Sequence, residues 1–518
     1  MKKFFKERGY TPIFAFFIFV LALALRLYNL TNLPIFADEA IYVRWAQVMR
    51  AEETLRFLPL SDGKQPLFMW SLIPFLKLFS DPLFAGRLVS IICGIASIIG
   101  VFLAARLLFK SEKVGLIASL IVGISPFVVF FDRMALVDSM LAMFAVWTFY
   151  LGVVTAKSLR LDMAMLTGFA LGGAFLTKSP ALFFAILLPT TIVFVDWPKN
   201  FREKVLTFLR YVFLIGVALV IALGLANILR LGPNFHLLSS RNYDYVYPFS
   251  HVLRSFTNPL FAHLNASLNY LWLLAPGSLL VLAVLGAILS IRKRRKEIIL
   301  ISLWIALPLF AICEYGKVFT ARYMVFVLPF FAVLAASGFL LKNNLLKKGL
   351  LFLLIIFVLQ SLSINRLLLT DVESVRLPRS ERSGYLEEWT AGTGIKEIAQ
   401  LVREEYFKEP DKKIVVGTEG YFGTLPDGLQ IYLNDLPQIT VIGIGLGVDR
   451  VPKPLYESRL AGNKTYLVIN NTRFLGNAEK LGLDTLAAYP KAVKPDGARE
   501  TLLFYQLSER SIQIPTKK

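Results

Sequence analysis

The chain passes from about residue 12 to residue 365 through one apolar run after another, most of them about 17–25 residues long, with short charged loops between. No other feature restricts the fold so strongly. Backbone N–H and C=O groups in hydrocarbon must find partners within the protein, so a spanning segment is a helix or part of a closed barrel. Runs of this length predict transmembrane helices. Eleven are expected, near 12–30, 83–108, 114–131, 135–156, 162–177, 180–195, 206–229, 267–291, 297–313, 322–341 and 348–365. With 56% hydrophobic and 18% charged residues among 518, the chain is too apolar for a soluble protein of its size.

The basic residues fall in every second loop. One set holds Lys2, Lys3, Lys6 and Arg8, then Lys110 and Lys113, Lys157 and Arg160, and Lys199, Arg202 and Lys204. It continues with IRKRRKE (291–297) and with Lys342, Lys347 and Lys348. Positive charge marks the cytoplasmic side. The expectation is a multi-pass plasma (inner) membrane protein with a cytoplasmic N-terminus, whose first run is an uncleaved anchor. The net charge of +20 then reflects loops facing anionic lipid, not nucleic acid, for which no binding fingerprint occurs. Cys93 and Cys313 both lie in apolar runs and form no disulfide framework.

Beyond about residue 366 the long apolar runs stop. GIKEIAQLVREEYFKE (394–409) has helical periodicity, while KIVVGTEG, QITVIGIG, KTYLVINNT and TLLFYQL read as strands bounded by turn residues. Helix and strand alternate, which predicts a small α/β domain with a largely parallel sheet. The expected organisation is an α-helical polytopic membrane domain over 1–366 and a soluble extracytoplasmic α/β domain over 367–518.

Ionisable residues at the membrane margin are functional candidates, and here they gather in the loops assigned to the outer face. Asp38 and Glu39 open the first outer loop, and Lys64 follows in SDGKQPLFMW. Asp132, Arg133 and Asp138 lie in the second outer turn and Lys178 in the third. Arg241, Tyr243, Asp244 and Tyr245 lie in 230–266 with all three histidines, His236, His251 and His263, and Lys317 and Arg322 lie near 314–322. Moving a sugar from a lipid phosphate to a hydroxyl would use this set. The lipid tail requires the membrane. The departing phosphate requires cations, for which Lys64, Arg133, Lys178, Arg241 and Arg322 are candidates. The acceptor hydroxyl requires a base, and a carboxylate serves. Neighbours at a helix start point about 100° apart, so one of Asp38 and Glu39 faces the chemistry and the other supports it. Tyr243, Asp244 and Tyr245 are candidate acceptor or sugar contacts.

The Asp-Glu pair, the GKQPLFMW stretch, FAGRLVSIICG (84–94), the Arg-Met-Ala-x-x-x-Asp of DRMALVDSM, LTKSP and ARYMVFVLPFFAVLAA (321–336) together resemble the GT-C glycosyltransferases. The group they resemble is the protein O-mannosyltransferases, glycosyltransferase family 39, which includes bacterial relatives that transfer aminoarabinose to lipid A. The resemblance spans roughly residues 10 to 345. It implies a GT-C fold and a polyprenyl-phosphate-sugar donor. It further implies a lipid, glycan or protein acceptor, with Asp38 as the catalytic residue and Lys64 on the donor phosphate. Arg133 and Asp138 match the family's second outer turn. The aminoarabinose transferases carry Glu-Lys-Pro where this chain has Gly63-Lys64-Gln65-Pro66, with Asp62 one step away. A divalent metal is therefore left open. The competing readings are a secondary transporter and an inactive envelope scaffold; no internal repeat supports the first, and the presence of both Asp38 and Lys64 opposes the second.

Overall fold

The computed structural model describes residues 11–513, so Lys2, Lys3, Lys6 and Arg8 lie outside the described residues. Two compact units are formed, and neither is a single stretch of sequence. The first contains the chain up to Leu30, then Glu52–Ser71 and Arg87–Pro378; the second contains Thr31–Ala51, Leu72–Gly86 and the chain from Arg379 onward.

The first unit is helical. Among the described residues six helices are long and apolar enough to cross a membrane: Pro82–Phe109, Val137–Ser158, Phe201–Leu231, Arg295–Tyr315, Ala321–Leu340 and Asn344–Thr370. The count rises to eight if two bent pairs each form one span, so the expected eleven is not confirmed. The difference has two local causes. Ser125-Pro126 and Ala275-Pro276 interrupt two of the expected runs, and the flanking helices bend by 59° and 111°. Proline sets its own φ and lacks the N–H, so it starts a new helix more readily than it continues one. Three other runs, Thr11–Leu27, Leu161–Thr177 and Ala181–Phe194, have 17 residues or fewer among the described residues, which begin at Thr11. At about 1.5 Å per residue the last two fall short of a hydrocarbon core of about 30 Å.

Several charges buried in this unit are paired, whereas fully buried Glu314 has no hydrogen-bond partner on either carboxylate oxygen among the described residues. Arg26 meets Asp132 at 2.9 Å and also donates to the carbonyls of Ala22 and Gly123. The Arg133 guanidinium donates to the carbonyls of Leu25, Arg26, Tyr28 and Asn29 at 2.7–3.2 Å, closing the end of helix Thr11–Leu27. Cations belong at helix C-termini, where carbonyls lack partners.

The second unit is built on a five-stranded sheet. Its strands are β1 (Ile414–Thr418), β2 (Ile439–Gly443), β3 (Lys464–Asn470), β4 (Leu483–Pro490) and β5 (Thr501–Leu507), in the order β2-β1-β3-β5-β4. β1 pairs parallel with β2 and β3, whereas β5 is antiparallel to β3 and β4 to β5. The sheet is thus mixed, with a parallel half and an antiparallel edge. Central β1 is buried along its whole length, and Val415, Leu455, Leu467, Ile469 and Leu507 form the core on one side. Helix Ile395–Lys408 forms where the periodicity placed it. β4 escapes sequence reading: it is an edge strand, exposed at most positions and ending in Pro490, so no apolar alternation marks it.

Two segments from the stretch between the first two apolar runs, Thr31–Ala51 and Leu72–Gly86, fold into this same unit. Helix Ala37–Ala51 packs on Asp427–Leu433, and Gln47 Nε2 donates to the Ile431 carbonyl at 2.8 Å. The strand-like entry to that helix is pinned by a bridge between Phe36 and Ala391 and by the Gly392 N–H donating to the Ile35 carbonyl at 2.7 Å.

Candidate functional site

In the first unit an apolar knot places three loops side by side. Leu60, Leu176 and Leu229 are buried together, with Phe57, Leu67, Phe235 and Leu238 packed on them. Leu60 lies four residues before Lys64, Leu176 two before Lys178, and Leu238 three before Arg241. One buried cluster therefore holds the bases of three cation-bearing segments.

The Lys64 turn depends on Gly63. A short 3-10 helix, Leu58–Asp62, ends with Gly63 at φ 64°, and the N–H groups of Gly63 and Lys64 return to the carbonyls of Leu60 and Pro59 at 3.0 Å. A Cβ at Gly63 would stand 2.4 Å from Arg241 Cβ and 2.8 Å from the Leu237 carbonyl oxygen. Helix Leu237–Tyr245 thus lies directly against the turn. The departure from Glu-Lys-Pro has its reason here: a side chain at 63 and this approach of Arg241 exclude each other.

Asp62 joins the two segments, at 3.3 Å from Lys64 and 3.5 Å from Arg241. Arg241 also reaches Asp244 at 3.0 Å and the Tyr245 hydroxyl at 3.3 Å. Tyr243 and Asp244 are exposed and Tyr245 is half-buried; the Lys317 ammonium donates to the Tyr243 carbonyl. Gln65 Nε2 donates to Ser179 Oγ at 3.0 Å, which ties the Lys64 turn to the Lys178 turn. Lys178 contacts buried Asp138 at 2.6 Å, and Asp138 Oδ2 has no hydrogen-bond partner. Lys178 and Arg322 share one ring, lying 4.7 and 5.7 Å from the centroid of Tyr323.

Four expected cations, Lys64, Lys178, Arg241 and Arg322, are therefore gathered in the first unit with Asp138 and the Tyr243–Tyr245 stretch. Arg133, the fifth, spends its donors on the four carbonyls described above. Asp62, Gln65, Ser179 and Tyr323 tie the cluster together and were not singled out as site residues from the sequence. Only Asp62 carried a signal, as the acidic residue beside the Lys64 motif.

Asp38 and Glu39 lie in the second unit, and their roles divide. Both are in the first turn of Ala37–Ala51. Glu39 is fully buried, and its Oε2 accepts the Phe36 N–H at 3.0 Å. An acid at the third helical position reaching back to the cap residue's N–H is one half of a capping box, so Glu39 fixes the helix start. Asp38 is half-buried one position earlier, where the positive end of the helix favours a carboxylate. The Ala37 N–H donates to the Thr390 carbonyl at 3.1 Å, which ties the start of this helix to the 384–392 segment.

The histidines do not converge: His251 stacks on Tyr247, and His263 bonds the Cys313 carbonyl. Among the described residues no three His, Cys, Asp or Glu side chains gather in a way that would hold a metal ion.

Residues 63–225 match the model of the family described as dolichyl-phosphate-mannose-protein mannosyltransferase. An undecaprenyl phosphate-alpha-4-amino-4-deoxy-L-arabinose arabinosyl transferase of Proteus mirabilis is 27% identical over 270 residues, 50% of this chain and 45% of that protein. The chain thus matches a little under half the length of that curated relative. Two crystal structures of ArnT from Cupriavidus metallidurans share the fold. The apo form aligns at a TM-score of 0.58 and 16% identity, over 99% of this chain and 100% of that one. The form bound to undecaprenyl phosphate aligns at 0.56 and 15%, over 98% and 99%. The chain is similar to GT-C glycosyltransferases of the family 39 type, as its motifs implied, and it is a multi-pass membrane protein with a small C-terminal sheet domain.

Proposed function

We propose that this chain transfers a sugar from a polyprenyl-phosphate donor to a hydroxyl acceptor at the outer face of the plasma membrane. The observation that carries this reading is the gathering of Lys64, Lys178, Arg241 and Arg322 around the interlocked turns at 63–65 and 178–179. A cluster of cations held by packing supplies fixed positive charge where a phosphate leaves, with no reorganisation during the reaction. The relatives' use of an undecaprenyl-phosphate sugar and of dolichyl-phosphate-mannose supports a donor of that class.

In this reading the acceptor oxygen attacks the anomeric carbon as its proton passes to the Asp38 carboxylate. The bond from that carbon to the phosphate oxygen breaks, and both electrons leave with the lipid phosphate, which the cations hold. One displacement with one base inverts the sugar carbon. Glu39 keeps Asp38 in register by closing the helix cap. The acceptor is a glycolipid, a cell-envelope glycan or a protein. The test is donor binding in nanodiscs. A charge-assisted contact to phosphate contributes about 1.5–3 kcal/mol, so Lys64→Ala and Arg241→Ala are each expected to weaken undecaprenyl-phosphate binding about tenfold or more. Unchanged affinity in both variants would remove the cluster from the donor site.

A further inference from the structure

Within the second unit lies a cleft of about 770 Å³ that the proposed chemistry does not use. Its walls come from the C-terminal end of helix Ala37–Ala51, the 76–82 segment, helix Ile395–Lys408 and the end of Asp427–Leu433. The volume falls within the range of small-molecule sites, about 300–1,000 Å³.

Two of its three cations are paired with its two carboxylates. Lys396 meets Asp81 at 2.6 Å, and Asp81 also accepts the N–H groups of Leu83 and Phe84 through its other oxygen. Arg403 grips Asp435 with two parallel bonds of 2.7 and 2.8 Å. Arg50 is different. Its Nη1 donates to the Leu76 carbonyl at 2.9 Å, and it is the one lining cation, among the described residues, with no carboxylate partner. The lining carries three cations and two carboxylates, so the cleft has one positive charge in excess. The lining also holds Gln47, Gln400, Asn434 and the rings of Phe79 and Tyr432. Gln47 Nε2 donates to the Ile431 carbonyl and its Oε1 accepts from Arg44, which also donates to Asn434 Oδ1, so these two amides are partly engaged. Gln400 Nε2 donates to Glu404, which leaves its Oε1 as an acceptor beside the Asn434 amide donors, the pairing that vicinal hydroxyls require. The rings offer apolar surface to the C–H face of a pyranose.

We infer that this cleft binds a sugar unit carrying an oxyanion, a carboxylate or a phosphate, with Arg50 as its counter-charge. Asp38 and Arg50 share one helix, about 18 Å apart along its axis and about 120° apart around it. The cleft is therefore a subsite apart from the Asp38 carboxylate. Its assignment to an extended anionic acceptor rests on the proposed glycosyl transfer; the binding itself does not.

Ligand-observed NMR on the full chain in nanodiscs tests this, with D-glucuronic acid, D-glucose 6-phosphate, D-glucose and inorganic phosphate as probes. The two anionic sugars are expected to bind about tenfold more tightly, or better, than glucose and than inorganic phosphate. Preference for one anionic sugar over the other identifies the carboxylate or the phosphate as the source of the charge, and either supports the inference. Arg50→Gln is expected to abolish the advantage over glucose, and Arg50→Lys to keep part of it; Arg50 is exposed, so neither variant threatens the fold. Asp38→Asn is expected to leave probe affinity unchanged, so loss of sugar transfer and loss of this site are read separately. Equal binding of glucose, equal binding of inorganic phosphate, no binding of any probe, or no effect of Arg50→Gln would each overturn the inference.

Discussion

Replacing Gly63 by alanine examines how the phosphate cluster is assembled. Two costs combine at this position. An L-residue held at φ 64° carries about 1–2 kcal/mol that glycine does not. The added Cβ would also stand 2.4 Å from Arg241 Cβ and 2.8 Å from the Leu237 carbonyl oxygen. Neither neighbour is the far end of a flexible side chain, so helix Leu237–Tyr245 must shift, and such overpacking costs about 1–3 kcal/mol. The expected total is about 2–5 kcal/mol. Gly462→Ala supplies the control, because Gly462 has φ 82° and nothing within 4 Å of its added Cβ. That variant carries the backbone cost alone. Denaturant unfolding in nanodiscs gives the two stabilities, and undecaprenyl-phosphate titration gives donor affinity. Gly63→Ala is expected to lose more stability than Gly462→Ala and to weaken donor binding about tenfold, since a displaced Arg241 loses one charge-assisted contact. Equal stability losses with unchanged donor affinity would refute the argument that the Gly63 turn positions Arg241.

Other consequences follow from the same geometry. Lys178→Met is expected to destabilise the first unit by about 3–5 kcal/mol, because it leaves buried Asp138 without its cation, and Lys178→Met with Asp138→Leu is expected to recover most of that loss in the same unfolding assay. Burial, opposed by Glu500 and Glu419, brings Lys491 down to about 8 from an ordinary 10.5. Between those two values the unfolded chain binds the extra proton, so stability rises with pH across that window and is flat outside it. The rise is about 3 kcal/mol, and denaturant unfolding at pH 7.5 and 10.5 should lose this increment in Lys491→Met. For orientation, cysteines at exposed Lys293 and Ala461 are expected to be protected from and labelled by an impermeant thiol reagent in intact cells, respectively; the reverse pattern would invert the topology.

The helical membrane unit was legible because burial in lipid writes itself as uninterrupted apolar sequence. Helix length was less legible: hydropathy does not register the breaks at Pro126 and Pro276, which are set by backbone chemistry. Four of the five strands were readable from β-branched and aromatic runs, whereas edge strand β4 was not, having little apolar surface to hide. In the site, Lys64, Lys178, Arg241 and Arg322 were visible as charges at a membrane margin. Sequence gave no means to separate them from Arg133, which closes a helix end through carbonyls from residues about a hundred positions away. The reason for glycine at 63 was equally hidden, because it lies in the approach of residue 241. The Asp38-Glu39 pair was the reverse case: helix geometry at a chain start was enough to expect two different duties, and Glu39 takes the capping one.

Transfer by the proposed route requires Asp38 as its base. The direct measurement is single-turnover sugar release from undecaprenyl-phosphate-linked donors by purified Asp38→Asn in nanodiscs, beside the wild type and Glu39→Gln, with donor affinity and unfolding measured on the same samples. Removing a general base costs about 10²–10⁴ in rate. Asp38→Asn is expected to fall by that factor while donor affinity and stability stay within about twofold and 1 kcal/mol of wild type. Glu39→Gln keeps an acceptor for the Phe36 N–H and is expected to retain most of its rate per folded molecule. Transfer by Asp38→Asn at near wild-type rate would contradict the account.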